Sequence, residues 1–315
     1  MEIAARSSRP AWTCPTWLAP RFISDARFAR AYDALGDQRR AKLKGLIADH
    51  FALTPPVQSH GAQCSQHFVS GLSRHACTMP RPFVLLLTDA SLDAPALFLA
   101  ALMPALCSGA GEVLVLRLGA RPGQPNGPPD ALLTACELAG QERVAAVSPT
   151  LALRLLSECA QSGLPGLVLY PDTPVLRRLF ARPELRDQLD ASALRLAPLR
   201  LPRALGLWRD SPGQYDPAVL EFLYGALAFE AGGATPGRRT GKSLNDATIK
   251  AAFSAFAAPR RDLLLVPEQR LSAGQGAARL VVGESHVGLW TWPELTPELF
   301  ASLTQALGSA PAPLS

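Results

Sequence analysis

No apolar run in this chain is long enough to cross a bilayer. The best candidate, residues 94–106, is too short and is bounded by turn signals, so a membrane-spanning helix is not expected. Disulfide architecture is missing too. Cys14, Cys64, Cys77, Cys107, Cys136 and Cys159 follow no framework spacing, three of them fall in helical segments as small apolar fillers, and no secretory h-region opens the sequence. A reduced, cytoplasmic protein is the expectation. Charge of one sign is lacking: 31 basic against 26 acidic side chains leave +5. The short basic clusters (Arg39-Arg40, Arg177-Arg178, Arg238-Arg239, Arg260-Arg261) read as solvated helix faces and loop ends. Aromatics make up 7% and never interleave with a basic stripe, so no nucleic-acid partner is expected. No internal repeat stands out.

Three motifs come close and fail on spacing or context. Gly109-Ala110-Gly111 precedes a strand, where a dinucleotide fingerprint would follow one. Residues 237–243 (GRRTGKS) are one residue short of a phosphate-cradling loop, place Pro236 where the first glycine belongs, and follow a helix. His60, Cys64, His67, His75 and Cys77 are metal-ligand types, but their spacing matches no zinc framework, and a surface hairpin carrying imidazoles is the plainer reading. No metal centre is assigned.

What is present is a large apolar fraction, 48% against 18% charged in 315 residues, enough for one large or two modest domains. The 29 prolines fall mostly at helix starts and turns. Residues 24–35 carry Phe28, Ala31, Tyr32 and Leu35 at helical spacing, and Asp37 caps a second helix with the stripe Ala41, Leu43, Leu46, Ile47. Before them lies an arm with Trp12 and Trp17 as docking points. Residues 57–80 read as extended or hairpin structure. Then comes the most informative stretch. Residues 83–87 (FVLLL) form a strand buried on both faces, Thr88, Asp89 and Ser91 break it, Asp93 caps a helix with Pro95 in its first turn, and residues 112–117 (EVLVLR) form the next strand. Apolar strands at 143–147 and 166–170, with Ser148-Pro149 and Thr173-Pro174 opening the helices after them, continue a doubly wound parallel sheet, whose crevice lies at the strand C-termini.

Past residue 189 strands are expected at 193–201 and 204–209, then a long helix over 218–231, a helix at 245–257, strands at 262–266, 278–282 and 286–291, and a last helix from Thr296-Pro297. Trp290 and Trp292 share one strand face, covering a core edge or offering a stacking platform. The implied division is N-terminal helices and an arm (1–80), a Rossmann-like nucleotide-binding domain (81–202) and a second, smaller α/β domain (203–315).

The order and texture of three segments resemble the aldehyde dehydrogenase superfamily, which includes histidinol dehydrogenase as a distant relative. They are residues 80–117, residues 131–149, and the run GLWRDSPGQYDPAVLEFLYGALAFEAGGATPGRR. The resemblance spans roughly residues 20–240. It implies an α/β fold with a Rossmann-like sheet, binding of NAD or NADP, and self-association into a homo-oligomer. Carried over by position, Thr88, Asp89, Ser91 and Arg117 would face the cofactor. Arg117 stands where the family has an adenosine-ribose lysine, and Ser91 where it has an oxyanion-stabilising asparagine.

The departures are chemical. Gly232-Gly233-Ala234-Thr235 replaces Gly-Gln-any-Cys, leaving a threonine hydroxyl, a poor nucleophile without a base, at the thiolate position. Arg200, followed by Pro202-Arg203, replaces the general-base glutamate and its glycines. The resemblance then implies a shortened relative with a dinucleotide cleft and no sulfur nucleophile, non-catalytic or of altered chemistry. Two other readings stand beside it: an active oxidoreductase of the histidinol dehydrogenase type, drawing metal ligands from His60, His67, His75 or His286, and an interaction module without a ligand.

Overall fold

A computed structural model describes residues 11–56, 61–119, 127–233 and 246–309. Its first helices are α1 (Asp25–Leu35) and α2 (Asp37–Leu53), separated by Gly36. Next comes a hairpin of β1 (Ala62–His67) and β2 (Leu72–Pro80). The chain then alternates: β3 (Phe83–Thr88), α3 (Pro95–Cys107), β4 (Glu112–Leu118), α4 (Asp130–Leu138), β5 (Val144–Val147), α5 (Pro149–Gln161), β6 (Leu167–Pro171). Two short helices, α6 (Pro174–Phe180) and α7 (Pro183–Asp190), lead to β7 (Arg195–Leu199). These strands form a parallel five-stranded sheet in the order β5-β4-β3-β6-β7.

The apolar run at 83–87 becomes the central strand because neither face meets water. Val84 and Leu86 join a core shared with α3 and α4, while Phe83, Leu85 and Leu87 join another packed against α5, α6 and α7. Helix α3 is apolar all round, as expected of a helix enclosed on every side. The same core that holds it against β3 extends to Leu205, Leu207, Leu263 and Leu265 of the second sheet.

That second sheet is built from β8 (Leu205–Arg209), α8 (Pro217–Tyr224), β9 (Phe229–Gly233), α9 (Asp246–Ala257), β10 (Arg261–Val266) and β11 (Ala278–Gly283), and is parallel in the order β11-β10-β8-β9. A final strand, β12 (Ala301–Ser309), returns to pair antiparallel with β2, giving a separate three-stranded sheet β1-β2-β12. Arg81 fixes the base of that sheet to the main one. Its guanidinium donates to the carbonyls of Leu299 (2.7 Å) and Pro165 (2.9 Å), and burial lowers its pKa to about 10.

Several expectations are corrected. The helix expected over 218–231 stops at Tyr224, where Gly225 turns with φ 59°, and residues 229–233 pair with β8 as an edge strand. Ladder pairing overrides the helical propensity of this Ala/Leu-rich run. The strand expected at 286–291 is a 3-10 turn (Glu284–His286) followed by irregular backbone. Trp290 and Trp292 are both buried, ring centroids 5.6 Å apart, with Trp292 Nε1 donating to the Leu97 carbonyl (3.2 Å); they fill the core and offer no stacking platform. The last helix is one 3-10 turn (Pro297–Phe300) leading into β12. Neither Asp37 nor Asp93 caps a helix: the cap positions are Gly36 and Ala94, and each aspartate instead pairs with an arginine, Arg40 and Arg117 respectively. Ser148, Thr173 and Asp216 do cap, accepting from Leu151, Leu176 and Ala218 backbone N–H groups. The N-terminal arm docks as expected, with Trp12 against the Phe83 ring and Trp17 Nε1 on the Glu158 carboxylate.

His50 of α2 is buried, with Nε2 unpartnered among the described residues, and desolvation lowers its pKa from 6.5 to about 4. Between those values the unfolded chain binds the extra proton and the folded chain does not, so stability falls as pH drops from 6.5 toward 4. We expect the wild type to lose about 2 kcal/mol more than His50→Leu between pH 7 and 5, at roughly 1.4 kcal/mol per unit. Urea unfolding at both pH values reads the difference; parallel pH profiles would refute it.

Candidate functional site

In the five-stranded sheet the chain moves from β3 outward through β4 to β5, then crosses back to β6 on the other side of β3. The crevice of such a sheet opens outside the carboxyl ends of the strands at this reversal, between β3 and β6. The loop leaving β3 is organised by Asp89. Its Oδ1 accepts from the Ser91 backbone N–H (2.9 Å) and hydroxyl (2.5 Å), capping the 3-10 turn Ala90–Leu92. Its Oδ2 accepts from the Thr173 hydroxyl (2.9 Å) at the start of α6. One carboxylate therefore ties the two lips of the crevice together.

Two clefts adjoin here, sharing Ala90, Leu118 and Gly119. One, of about 590 Å³, lies over β6 and α6 and is lined by Asp89, Ser91, Pro149, Arg178 and Arg182, with apolar contributions from Leu176 and Leu179. The other, of about 640 Å³, is lined by Arg27, Asp93, Arg117 and residues 127–130. Gly119, with φ 77°, turns the chain at the end of β4 where the clefts meet.

Arg117 is committed within this wall. It is buried, and its guanidinium grips the Asp93 carboxylate through two bonds of 2.5 and 3.0 Å. Burial raises the Asp93 pKa, and the Arg117 hydrogen bond opposes that rise. Thr88 is buried, its hydroxyl 3.4 Å from the Leu116 carbonyl. Of the four residues assigned to the cofactor, Asp89 and Ser91 line the first cleft and Arg117 the second, while Thr88 turns into the sheet. Ser91 already spends its hydroxyl proton on Asp89. Arg200 is exposed beyond β7. Its charge adds to the dominant Arg177 hydrogen bond in holding the Asp172 carboxyl low. Thr235, His60 and the loop at 237–243 lie outside the described residues.

Among the described residues no cysteine lines either cleft. Cys107, Cys136 and Cys159 are buried, and desolvation raises all three thiols, Cys159 to about 12, which disfavours the thiolate. The histidines offered for metal chemistry are separated: His67 and His75 sit on the antiparallel sheet, and His286 bonds Asp49 of α2 through Nδ1 (2.9 Å).

The second sheet has its own reversal between β8 and β10. Asp210 at the end of β8 accepts from Trp208 Nε1 (2.8 Å) and Arg270 Nε (3.0 Å), Gln214 joins it to Glu284, and Glu268 accepts from the Ser285 backbone (3.0 Å). This edge is a closed polar network. A small pocket of about 220 Å³ beside it is lined by Arg209, Asp210, Gly232 and Gly233.

Asp93, Thr173, Arg178 and Arg182 carry no site signal in the sequence, and the structure places them at the crevice. Thr173 was legible as a helix cap, and only the strand order shows that it faces Asp89 across the crevice.

No family model matches the sequence, and no curated protein sequence matches it. Solved structures do match. Histidinol dehydrogenase from Elizabethkingia anophelis is 9% identical with a TM-score of 0.51, over 95% of this chain and 78% of that one. An NAD-dependent benzaldehyde dehydrogenase from Corynebacterium glutamicum is 11% identical with a TM-score of 0.48, over 92% of this chain and 84% of the other. The fold is thus similar to that of this histidinol dehydrogenase, an α/β fold with a Rossmann-like parallel sheet and a second, smaller α/β unit.

The Asp93–Arg117 pair gives a direct test of the crevice wall. Asp93→Asn preserves volume but leaves a buried guanidinium without counter-charge, and is expected to cost about 2–3 kcal/mol of unfolding free energy. Adding Arg117→Met should recover most of that loss. A double variant as unstable as the two single losses combined would show that the two side chains are not coupled.

Proposed function

We propose that the crevice between β3 and β6 binds a nicotinamide dinucleotide, NAD or NADP, in a protein that does not carry out thiol-based aldehyde oxidation. The observation that carries this reading is the pair of adjoining clefts at the strand reversal, walled by Asp89, Ser91, Gly119, Arg178 and Arg182, with no cysteine lining them among the described residues. The residues present fit such a ligand. Exposed Val175, backed by buried Leu118, Leu176 and Leu179, offers apolar surface to a ring, and Arg178 and Arg182 offer positive charge to phosphate.

A bound nicotinamide would supply hydride transfer. This chain's residues would hold and orient the cofactor through the Asp89-organised loop. Threonine at position 235 and arginine at position 200, where the resembled family has its nucleophile and base, support a non-catalytic role or an altered chemistry. A histidinol dehydrogenase-type reaction is less well supported, because His67 and His75 lie on a different sheet from the crevice.

Self-association is the second part of this reading. The sheet β1-β2-β12 leaves β1 exposed along its whole length as an edge strand, and Leu72, Leu303 and Leu307, which the register places on one face, are exposed. An open edge beside an apolar face suits docking against another copy of the chain.

Thermal unfolding with added NAD or NADP tests the cleft. At a ligand concentration 100-fold above Kd, binding to the folded state adds about 2.7 kcal/mol, equivalent to a rise of about 5 °C in a chain of this size. Ala90→Trp, at an exposed residue shared by both clefts, should abolish the shift and leave the ligand-free melting temperature unchanged. A melting curve that neither dinucleotide moves would favour the interaction module.

A further inference from the structure

The antiparallel sheet carries a feature that the crevice does not use. Its register sets His67 opposite Ser73 and Ser65 opposite His75. Side chains directly opposite share a face, as do residues two apart along a strand, so His67, His75, Ser65 and Ser73 all project from the same side. Leu72, Leu303 and Leu307 occupy the other side.

Each imidazole is held by the serine across from it. Ser65 Oγ lies 2.9 Å from His75 Nδ1, and Ser73 Oγ lies 2.8 Å from His67 Nδ1. Engaging Nδ1 in this way restrains the ring and leaves Nε2 to act as the ligand nitrogen, the arrangement that outer-shell partners impose on metal-binding histidines. The ring centroids are 6.1 Å apart and the rings are nearly perpendicular, at 82°. With a metal–nitrogen bond of about 2.1 Å, each centroid lies roughly 3.2 Å from the ion, so two rings sharing a tetrahedral ion have centroids about 5.2 Å apart. The observed spacing is about 0.9 Å wider, a gap that small side-chain rotations of the two exposed rings would close. Both histidines are solvent-exposed, so the site has an open approach.

Among the described residues no three histidine, cysteine or carboxylate side chains converge on one point, so a closed structural centre is not built here. We infer that His67 and His75 form an open two-imidazole site for a borderline divalent ion of the zinc, nickel or copper class, with water completing the coordination. Imidazole nitrogen suits these ions over magnesium or calcium, and copper(II) should bind most tightly of the three.

The experiment uses the full chain, stripped with chelator and titrated by calorimetry with Zn²⁺. The expected result is one Zn²⁺ per chain, with affinity reduced at least tenfold in His67→Ala and in His75→Ala. His286→Ala, altering an exposed imidazole elsewhere, should bind as the wild type does. Ser65→Ala combined with Ser73→Ala should weaken binding while retaining one ion per chain. Because both histidines are exposed, the metal-free variants should melt with the wild type, which separates lost binding from lost folding. Co²⁺ substitution reads the ligand atoms: d–d bands without a thiolate charge-transfer band are expected. Absent binding, binding that survives His67→Ala with His75→Ala, or a thiolate band implicating Cys64 or Cys77 would each overturn the assignment.

Discussion

The pairing of β3 with parallel neighbours on both sides is the constraint on which the rest depends. A strand whose backbone is bonded to β4 and to β6, and whose two faces enter separate cores, has nowhere to expose a polar side chain until it ends. Phe83 to Leu87 are accordingly apolar without alternation. Two results follow from the same geometry. The helices must cover both faces, which fixes the layers. The chain must also leave β3 toward one side and return on the other, which opens a crevice at the one edge where side chains are released from the sheet.

The polar groups at that edge are arranged chiefly around two aspartates. Asp89 gathers Ser91 and Thr173, and so links loops that are 84 residues apart in sequence. Asp93 neutralises Arg117 inside the wall. An arginine at the end of β4 thus gives the crevice rigidity through an internal ion pair. Positive charge at the lining comes instead from Arg178 and Arg182, carried by the segment that follows β6. Its distribution follows from burial: a guanidinium as enclosed as that of Arg117 requires a counter-charge, whereas those at the mouth can be solvated.

The parallel core was legible in the sequence because its signals are local. Continuous apolar runs, Ser-Pro and Thr-Pro helix starts and the stripes of α1 and α2 each sit within a dozen residues. The errors share a different origin. Residues 229–233 and 301–309 become strands only because β8 and β2 present free edges to them, and neither segment has a period-2 pattern of its own. Asp93 has the residue type of a helix cap, but a buried arginine 24 positions later offers it a stronger, charge-assisted bond. The fold class could be read from local pattern; edge strands and ion-pair partners depended on tertiary placement. The candidate site divided the same way. Asp89 and Ser91 were identifiable as breaks after a buried strand, whereas Thr173, Arg178 and Arg182 required the strand order.

The residues that hold this fold and those that face its crevice form nearly separate sets. The cores are filled by strand interiors and by α3, with Arg81 satisfying carbonyls where the antiparallel sheet meets the parallel one. Apart from Arg117 and Leu118 at the end of β4, positions lining the clefts lie beyond the strand ends, on loops and helices. Substitution at 200, exposed beyond β7, therefore leaves the packing of β3 untouched, and the arrangement of layers can be retained while the chemistry of the edge changes. A structural likeness at 9% identity is what such a separation permits, since parallel strands ask only that their interiors be apolar and branched. The same separation places the functional question entirely in the loops that follow β3, β4 and β6, where a handful of side chains decide what the crevice can hold.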